Sequence, residues 1–456
     1  MPRRDSMDDQ RSLGKELVDY ILRLGASACD VLVADTKHVS AEAENSSIKQ
    51  ASMIHDSGVA MRAFARGCSG FSYSTSLDRQ SLRRVAKLAM SQARAGTPDS
   101  QFKGLPERQR QAQVEGLYDS RLTRLQPDEV VEMLIRLVDK ASEDKRITSV
   151  NAGVGVSISK ITLCNSNGFC GSQSLSSHEM GVESVARSGD RMFSGTDGGW
   201  TRKLDKAMLD MVAMSSMDNA IRGLVQKKIG TGDYPVIMDP LAAGYILSGA
   251  IGGGANAESV QRGRSYLGDK LGIQVAGENV SIMDDPTYPW AAGSFSFDGE
   301  GTPARRKAVI HKGVLATYLH DSYTAGKASV ESTGNSSRGE PIWSFRRPPS
   351  IASSNLILEK GDASLDEMLE ETPKGVYLRI TFDHPNIATG EFSGLMMESF
   401  LVENGSLGPS IRQATMGIGI LELLSSIDMI GKKTRDAYGM RTPAIRIEKA
   451  RIGGSG

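Results

Sequence analysis

Of the dipeptides that set an imidazole beside a carboxylate, His320-Asp321 and Asp383-His384 are the most suggestive. Each falls at the end of a stretch that reads as a strand. Folding can bring the two together as a metal or acid–base site, since histidine titrates near neutrality and binds transition metals. The plainer reading is polar residues closing strands at a surface. The remaining histidines, His38, His55, His178 and His311, add nothing, because no two of the six lie within two helical turns of each other. Ser-x-x-Lys occurs at Ser46 to Lys49 and at Ser157 to Lys160. The second lies in an alternating strand, where positions i and i+3 face opposite ways, and the first has no helical context. Neither is a nucleophile–base pair, and no Gly-x-Ser-x-Gly elbow is present.

The cysteines point the same way. Four in 456 residues imply a reducing compartment. Cys164 and Cys170 are close, in CNSNGFC. With Asn167-Gly168 as a two-residue turn, Asn165 pairs with Cys170 and Cys164 faces the other side of the hairpin. The expectation is no disulfide there. Without a Cys-x-x-Cys or Cys/His cluster, no zinc site is expected either.

The stretch DPLAAGYILSGAIGGGANAE (239–258) holds 18 uncharged residues and five glycines. It approaches the roughly 20 residues a membrane helix needs, but glycine, serine and Asn256 dilute it. A phosphate loop would need a lysine, and none occurs before Lys270. Asp239 can cap a helix that Pro240 opens. Leu241, Tyr245 and Ser248 share one face, and Ala242, Ile246 and Gly249 the next. Gly252-Gly253-Gly254 is expected to stop it, giving a buried helix plus loop and no membrane span.

Around these positions the chain alternates helices and strands. Leu13, Leu17, Tyr20, Ile21 and Leu24 form a helical stripe ended by Gly25, followed by a strand at Cys29–Val33. Residues 58–77 read as two strands turning near Arg66-Gly67. Asp78 caps the next helix, which stops at Gly96. The Gln-, Arg-, Pro- and Gly-rich section 98–117 reads as a linker. Pro127 begins another helix, alternating strands lead to the Asn-Gly turn, and residues 204–224 are helical. Beyond Gly230 short strands and tight turns dominate. The expected class is α+β: an N-terminal helix and antiparallel-sheet region over 1–229, then a β-rich C-terminal domain over 230–456. No short-period repeat is visible. Basic and acidic residues balance at 54 each, and apolar residues make up 39%. That balance projects no field for nucleic acid. Nothing behind MPRRDSMDDQ resembles a signal peptide, so a cytoplasmic location is expected.

The segment FDGEGTPARRKAVIHKGVLATYLHDSYTAGKASVESTGNSSR (297–338) resembles the TldD/PmbA family. The likeness lies in the Asp-x-Glu-Gly-Thr-Pro start, the hairpin at Lys312-Gly313-Val314-Leu315, the Tyr-Leu-x-Asp run and Ser-Thr-Gly-Asn. It extends to GEFSG (390–394), FLVENGSL (400–407) and GVAMRAFARGCSGFSYSTSLD near the N-terminus, so it covers nearly the whole chain. The resemblance implies dimers and two branches. One carries His-Glu-x-x-x-His on a helix and a Cys near the C-terminus, which bind the metal of a peptidase. The other, PmbA- or TldE-like, lacks that motif and pairs with a TldD-like subunit. Here the motif falls by position on Tyr245 to Ala250. Tyr245 and Ala250 stand for the two imidazoles, Ile246 for the general-base Glu, and Tyr438 for the Cys.

The resemblance therefore implies a non-catalytic subunit that binds no metal or other cofactor. A TldD-like partner would hold the metal, zinc by expectation. The two would form a cleft for proteolysis of unfolded or short peptides, without nucleic acid or membrane. A stand-alone hydrolase using His320, Asp321, Asp383 and His384, and an inactive peptide-binding homodimer, are the alternatives.

Overall fold

The computed structural model describes residues 7–339 and 343–454. Helix α1 spans Met7–Arg23 and buries Leu13, Leu17, Val18 and Ile21, while Tyr20 and Leu24 of the expected stripe are half-buried against the same core. Strands β1 (Ala28–Glu44), β2 (Ser47–Ala65) and β3 (Cys68–Ser74) form a meander. The β2–β3 turn is made by Arg66 and Gly67, both at positive φ (54° and 78°), the twist-matched turn of tight hairpins. Helix α2 (Arg79–Ala95) follows, with the Asp78 carboxylate accepting from the N–H groups of Gln80 and Ser81. After the short α3 (Ser120–Arg124) come α4 (Pro127–Ala141), β4 (Ile147–Asn165), β5 (Cys170–Ser188), β6 (Arg191–Thr201) and α5 (Lys206–Arg222).

The six strands make one antiparallel sheet in the order β3-β2-β1-β4-β5-β6. Helix, three-strand meander and helix thus occur twice, with β1 and β4 side by side at the centre. The first unit packs Val31, Val59 and Met61 under α1 and α2. The second packs Val154, Met180 and Val182 under α4 and α5. Each such side chain, fully buried, contributes about 1.5–3 kcal/mol. The helices cover one face. The other face meets the C-terminal domain through Leu32, Leu163, Phe295, Phe297 and Trp343.

Residues 98–117 contain no helix or strand, yet they are pinned. Phe102 stacks on Phe64 with centroids 4.1 Å apart, and Asn167 Nδ2 donates to the Leu105 carbonyl at 2.8 Å.

Two expectations fail. Five residues separate the paired Cys164 and Cys170 at the β4–β5 turn, one more than a pairing of Asn165 with Cys170 leaves, so Cys164 sits opposite Cys170, not beyond it. Asn165 Oδ1 accepts from Asn167 N and Phe169 N, and Phe169 is buried against Phe297. That anchor adds one residue to the loop and shifts the register by one, which flips a side chain to the other face. Cys164 and Cys170 are joined as a disulfide, with Cα atoms 4.0 Å apart.

The second concerns the glycine run. Strand β8 (Gly232–Met238), preceded by the short β7 (Gln226–Lys227), leads into α6, which spans Pro240–Gly254 and includes all three glycines. A Cβ on Gly253 would lie 2.8 Å from Ile387, and one on Gly254 would lie 2.7 Å from the Tyr266 ring. Close packing holds these glycines helical against their propensity cost of about 1 kcal/mol each. Ala255 caps the end, and Asn256 starts the next short helix at Ala257. Among the described residues no helix is long and apolar enough to cross a membrane.

Among the described residues the C-terminal strands form a thirteen-stranded sheet, apart from Ser336–Ser337 and Ser350–Ile351, which pair with each other. Strand β8 lies between Lys374–Ile380, which runs parallel to it, and Met440–Gly453, which runs antiparallel. Helix α6 packs on this sheet. The protein is therefore α+β, mixing helices with antiparallel and mixed sheets.

Candidate functional site

Helix α6 starts where Asp239 spends both oxygens. Oδ1 accepts from Leu241 N at 2.9 Å, and Oδ2 accepts from Tyr377 Oη at 2.6 Å. One side of α6 is core: Ala242, Ala243, Ile246, Leu247, Ala250 and Ile251 are all fully buried. The side turned to the neighbouring loops carries Tyr245, Ser248 and Gly249.

Tyr245 is the centre of an aromatic cluster. Its ring meets Tyr438 edge-on at 5.0 Å, Phe382 edge-on at 5.6 Å, and stacks on His384 at 4.8 Å. Edge-to-face pairs contribute about 0.5–1.5 kcal/mol each beyond burial. Tyr245 Oη lies 3.0 Å from the Phe382 carbonyl and 2.9 Å from His384 Nε2. Both bonds are satisfied when the phenol donates to the carbonyl and the imidazole donates to the phenol oxygen. Burial and nearby Asp383 push the Tyr245 phenol pKa up, which keeps it protonated. Tyr438 sits at a hairpin tip between strands Ile427–Ala437 and Met440–Gly453, with φ of 49° followed by Gly439 at 81°.

The residues aligned by resemblance are thus brought together in part. Tyr245 and Tyr438 touch. Ile246 and Ala250 face the core, and Tyr266 Oη donates to the Ala250 carbonyl at 3.1 Å. The four residues of the alternative site separate. His320 is buried with Nδ1 3.2 Å from Thr324 Oγ1, and Asp321 caps the helix Ser322–Ala328 by accepting from Thr324 N. Burial lowers the His320 pKa. Asp383 accepts from Leu395 N at 2.6 Å, while His384 joins the Tyr245 cluster.

A metal does not fit these residues. Of the groups around Tyr245, one is an imidazole already in contact with a phenol, one is the Asp383 carboxylate that accepts from Leu395 N, and the others are a phenol and a phenyl ring. Among the described residues no three His, Cys, Asp or Glu side chains gather as a ligand set. A divalent transition metal requires at least three such donors.

The Asp-x-Glu-Gly-Thr-Pro segment serves architecture. Asp298 accepts from the N–H groups of Glu300, Thr302 and Ser336 at 2.9–3.0 Å. Burial and the neighbouring Glu300 carboxylate raise its pKa to about 7. Glu300 then accepts from Arg62 at 2.8 Å, and Arg62 and Arg338 both donate to buried Asp30. This links the two domains. A second link was missed altogether. Asp197 on β6 accepts from Arg379 at 2.8 Å and from Arg435, and Arg379 donates to Glu398 at 2.5 Å. These residues are far apart in sequence and carry no spacing signal.

Between the links lies a cavity of about 1140 Å³. Its walls are the uncovered half of the six-stranded sheet, the Ser248-Gly249 side of α6, and the loop carrying Tyr438.

Sequence models of the PmbA/TldA metallopeptidase family match this chain in all three of their parts. Domain 1 matches residues 29–93, the central domain 120–224 and the C-terminal domain 231–454. A metalloprotease of Methanocaldococcus jannaschii is 26% identical, covering 92% of this chain and 93% of its own length. A metalloprotease TldD homolog of Buchnera aphidicola is also 26% identical, covering 92% and 91%. The crystal structure of TldE from Thermococcus kodakarensis superposes with a TM-score of 0.87 at 22% identity, covering 96% and 99%, which shows a shared fold. With its fold, its interdomain cavity and all three family domains in order, the chain belongs to the TldD/PmbA family of metallopeptidase-like proteins.

Proposed function

We propose that this chain is a TldE-like, non-catalytic subunit. It pairs with a TldD-like metallopeptidase subunit and completes the cleft in which unfolded or short peptides are cut. The observation that carries this reading is the aromatic cluster. Where the family resemblance places a metal-binding imidazole and a thiolate, Tyr245 and Tyr438 pack ring against ring at 5.0 Å. A phenol held protonated and hydrogen-bonded to a carbonyl neither lowers the pKa of a bound water nor accepts its proton. The chain's own contribution is shape: a wide cavity whose floor is held by two buried ion networks.

The test is a pull-down with this chain as bait, followed by assays on unfolded casein. Recovery of a histidine-bearing relative, with proteolysis only when both subunits are mixed, is the expected result. Zinc by mass spectrometry should follow the partner. Peptidase activity of the purified chain alone, sensitive to chelators, refutes the proposal.

A further inference from the structure

The sheet face that looks into the cavity carries a row of residues that no motif announces. Register sets Glu42 opposite Gly153, Gly153 opposite Gly181, and Gly181 opposite Gly198. Directly paired residues on antiparallel strands share a face, so one line of side-chain positions crosses β1, β4, β5 and β6. Three of the four have no side chain. Nothing lies within 4 Å of a Cβ built on Gly153 or Gly181, so the row is open above these two, whereas a Cβ on Gly198 would lie 3.0 Å from the Met180 carbonyl oxygen. Two residues to either side along β5, on the same face, stand Glu179 and Glu183. Trp200 pairs with Glu179 and faces the same way.

The carboxylates differ in how they are met. Asp197 is neutralised by Arg379 and Arg435, Asp436 by Arg441, and Glu44 by Lys49 at 2.9 Å. Glu42 and Glu183 meet neutral amides instead, Gln50 and Asn151, each at 3.0 Å. Among the described residues no lysine or arginine forms an ion pair with Glu42, Glu179 or Glu183, and all three line the cavity.

A separate observation marks the same cavity as made for a polar occupant. The indole N–H of Trp200, that of Trp343 and the hydroxyl of Ser336 are buried and have no hydrogen-bond partner. All three residues line the cavity, and Ser336 and Trp343 are only 3% and 6% exposed. Unmet buried polar atoms are rare in folded proteins.

We propose that the glycine row is a specificity subsite for a lysine or arginine side chain of a peptide lying in the cavity. This rests on the reading of the cavity as a peptide cleft. The glycines leave room for a long apolar stem, and the Trp200 ring offers its face to the cation. Glu179 and Glu183 set negative charge about the head group, and Glu42 adds to it from beside Lys49, whose own ion pair is with Glu44. The unmet donors of Ser336 and Trp343 are available to the peptide's carbonyls. An acidic side chain is repelled here, and a neutral one leaves the carboxylates facing an apolar stem.

The test titrates a fluorescein-labelled hexapeptide with one central lysine against the full-length chain by anisotropy. Matched peptides carry norleucine or glutamate at that position. An exposed ion pair is worth up to about fivefold in affinity. The lysine peptide should therefore bind at least about tenfold tighter than the norleucine one through its several carboxylates. In the E179Q/E183Q variant that preference should shrink to about twofold, with norleucine binding unchanged. Glu42→Gln, made separately, should give a smaller fall and guards against misfolding of the double variant. Equal binding of lysine and norleucine peptides, or a preference that survives in both variants, overturns the subsite alone. Failure of every peptide to bind overturns the cleft reading and the subsite together.

Discussion

Restoring the ligand motif on α6 should break the helix's packing before it creates a metal site. Consider Ile246→Glu. Ile246 has no exposure and sits in the largest core cluster, between β8 and the helix–sheet interface. Removing its apolar surface costs about 2–3 kcal/mol. Placing a neutralised carboxyl there without a partner costs about 1–3 kcal/mol more. The sum, about 3–6 kcal/mol, is a large share of the 5–15 kcal/mol by which a typical domain is stable. Ala250→His pushes a ring into close-packed surroundings beside Tyr266, at about 1–3 kcal/mol. Tyr245→His loses edge-on contacts with Tyr438 and Phe382, about 1–3 kcal/mol in all, but stays on the cavity side. The ranking follows from direction: five residues along a helix turn a side chain about 140°. Thermal melts followed by circular dichroism should show I246E melting about 10 °C or more below the parent, or insoluble. Y245H should fold and take up no stoichiometric zinc from a competing chelator. An I246E protein that melts with the parent, or a triple variant that binds zinc tightly, refutes the view that this face of α6 belongs to the core.

Other outcomes follow from buried charge and thiols. Asp197→Ala leaves Arg379 and Arg435 in the interior with one acceptor fewer, and breaking such a pair typically costs about 3–5 kcal/mol. A urea midpoint shift equivalent to less than about 1 kcal/mol counts against the network as an interdomain link. His178 is fully buried, and burial lowers its pKa below the usual 6.5. The unfolded chain therefore binds its proton first, and the stability this group contributes is present above about pH 6.5 and lost as pH falls. Asp298, raised to about 7, runs the opposite way, favouring the folded state as pH drops from 7 toward 4. His178→Asn isolates the first effect: melts of parent and variant should converge or cross on going from pH 7.5 to 5.5, and parallel curves refute it. Burial pushes the Cys29 thiol to about 12, while Cys68 is half-buried. Alkylation of the native, unreduced chain at pH 8 should label Cys68 and spare Cys29, Cys164 and Cys170. Prompt labelling at Cys164 or Cys170 speaks against the disulfide.

Local rules carried far in this sequence where one residue decides a local structure. Asp78 and Asp239 cap the helices they precede, Arg66-Gly67 turns its hairpin, and Pro240 opens α6. They failed where tertiary packing outweighs propensity. Gly252, Gly253 and Gly254 are poor helix formers, and the packing of Ser353, Ile387 and Tyr266 against them in turn holds the helix to Gly254. The Asn167-Gly168 pair suggested a two-residue turn, yet burial of Phe169 enlarged the loop and put two cysteines face to face. The aligned positions differ in direction: Tyr245 and Tyr438 lie ring against ring in one loop cluster, whereas helical rotation carries Ala250 into the core.

What sequence spacing cannot show is register across strands, and that is where the cavity's character resides. Gly153, Gly181 and Gly198 lie in separate strands at unrelated intervals, and each alone reads as a flaw in a strand, weakening it through lost packing and added chain entropy. Their cost is acceptable only if the missing side chains serve the space above them. Paired across β4, β5 and β6, they clear a continuous strip opposite α6. An alanine at Gly181 meets no protein atom. It should therefore stabilise the chain slightly through its lower backbone entropy in the unfolded state, by about 0.4–1 kcal/mol. If the strip is a binding surface, the same substitution weakens the lysine peptide. A Gly181→Ala chain that melts higher and binds less separates function from folding at this position. One that melts higher and binds equally well means that the strip is not used.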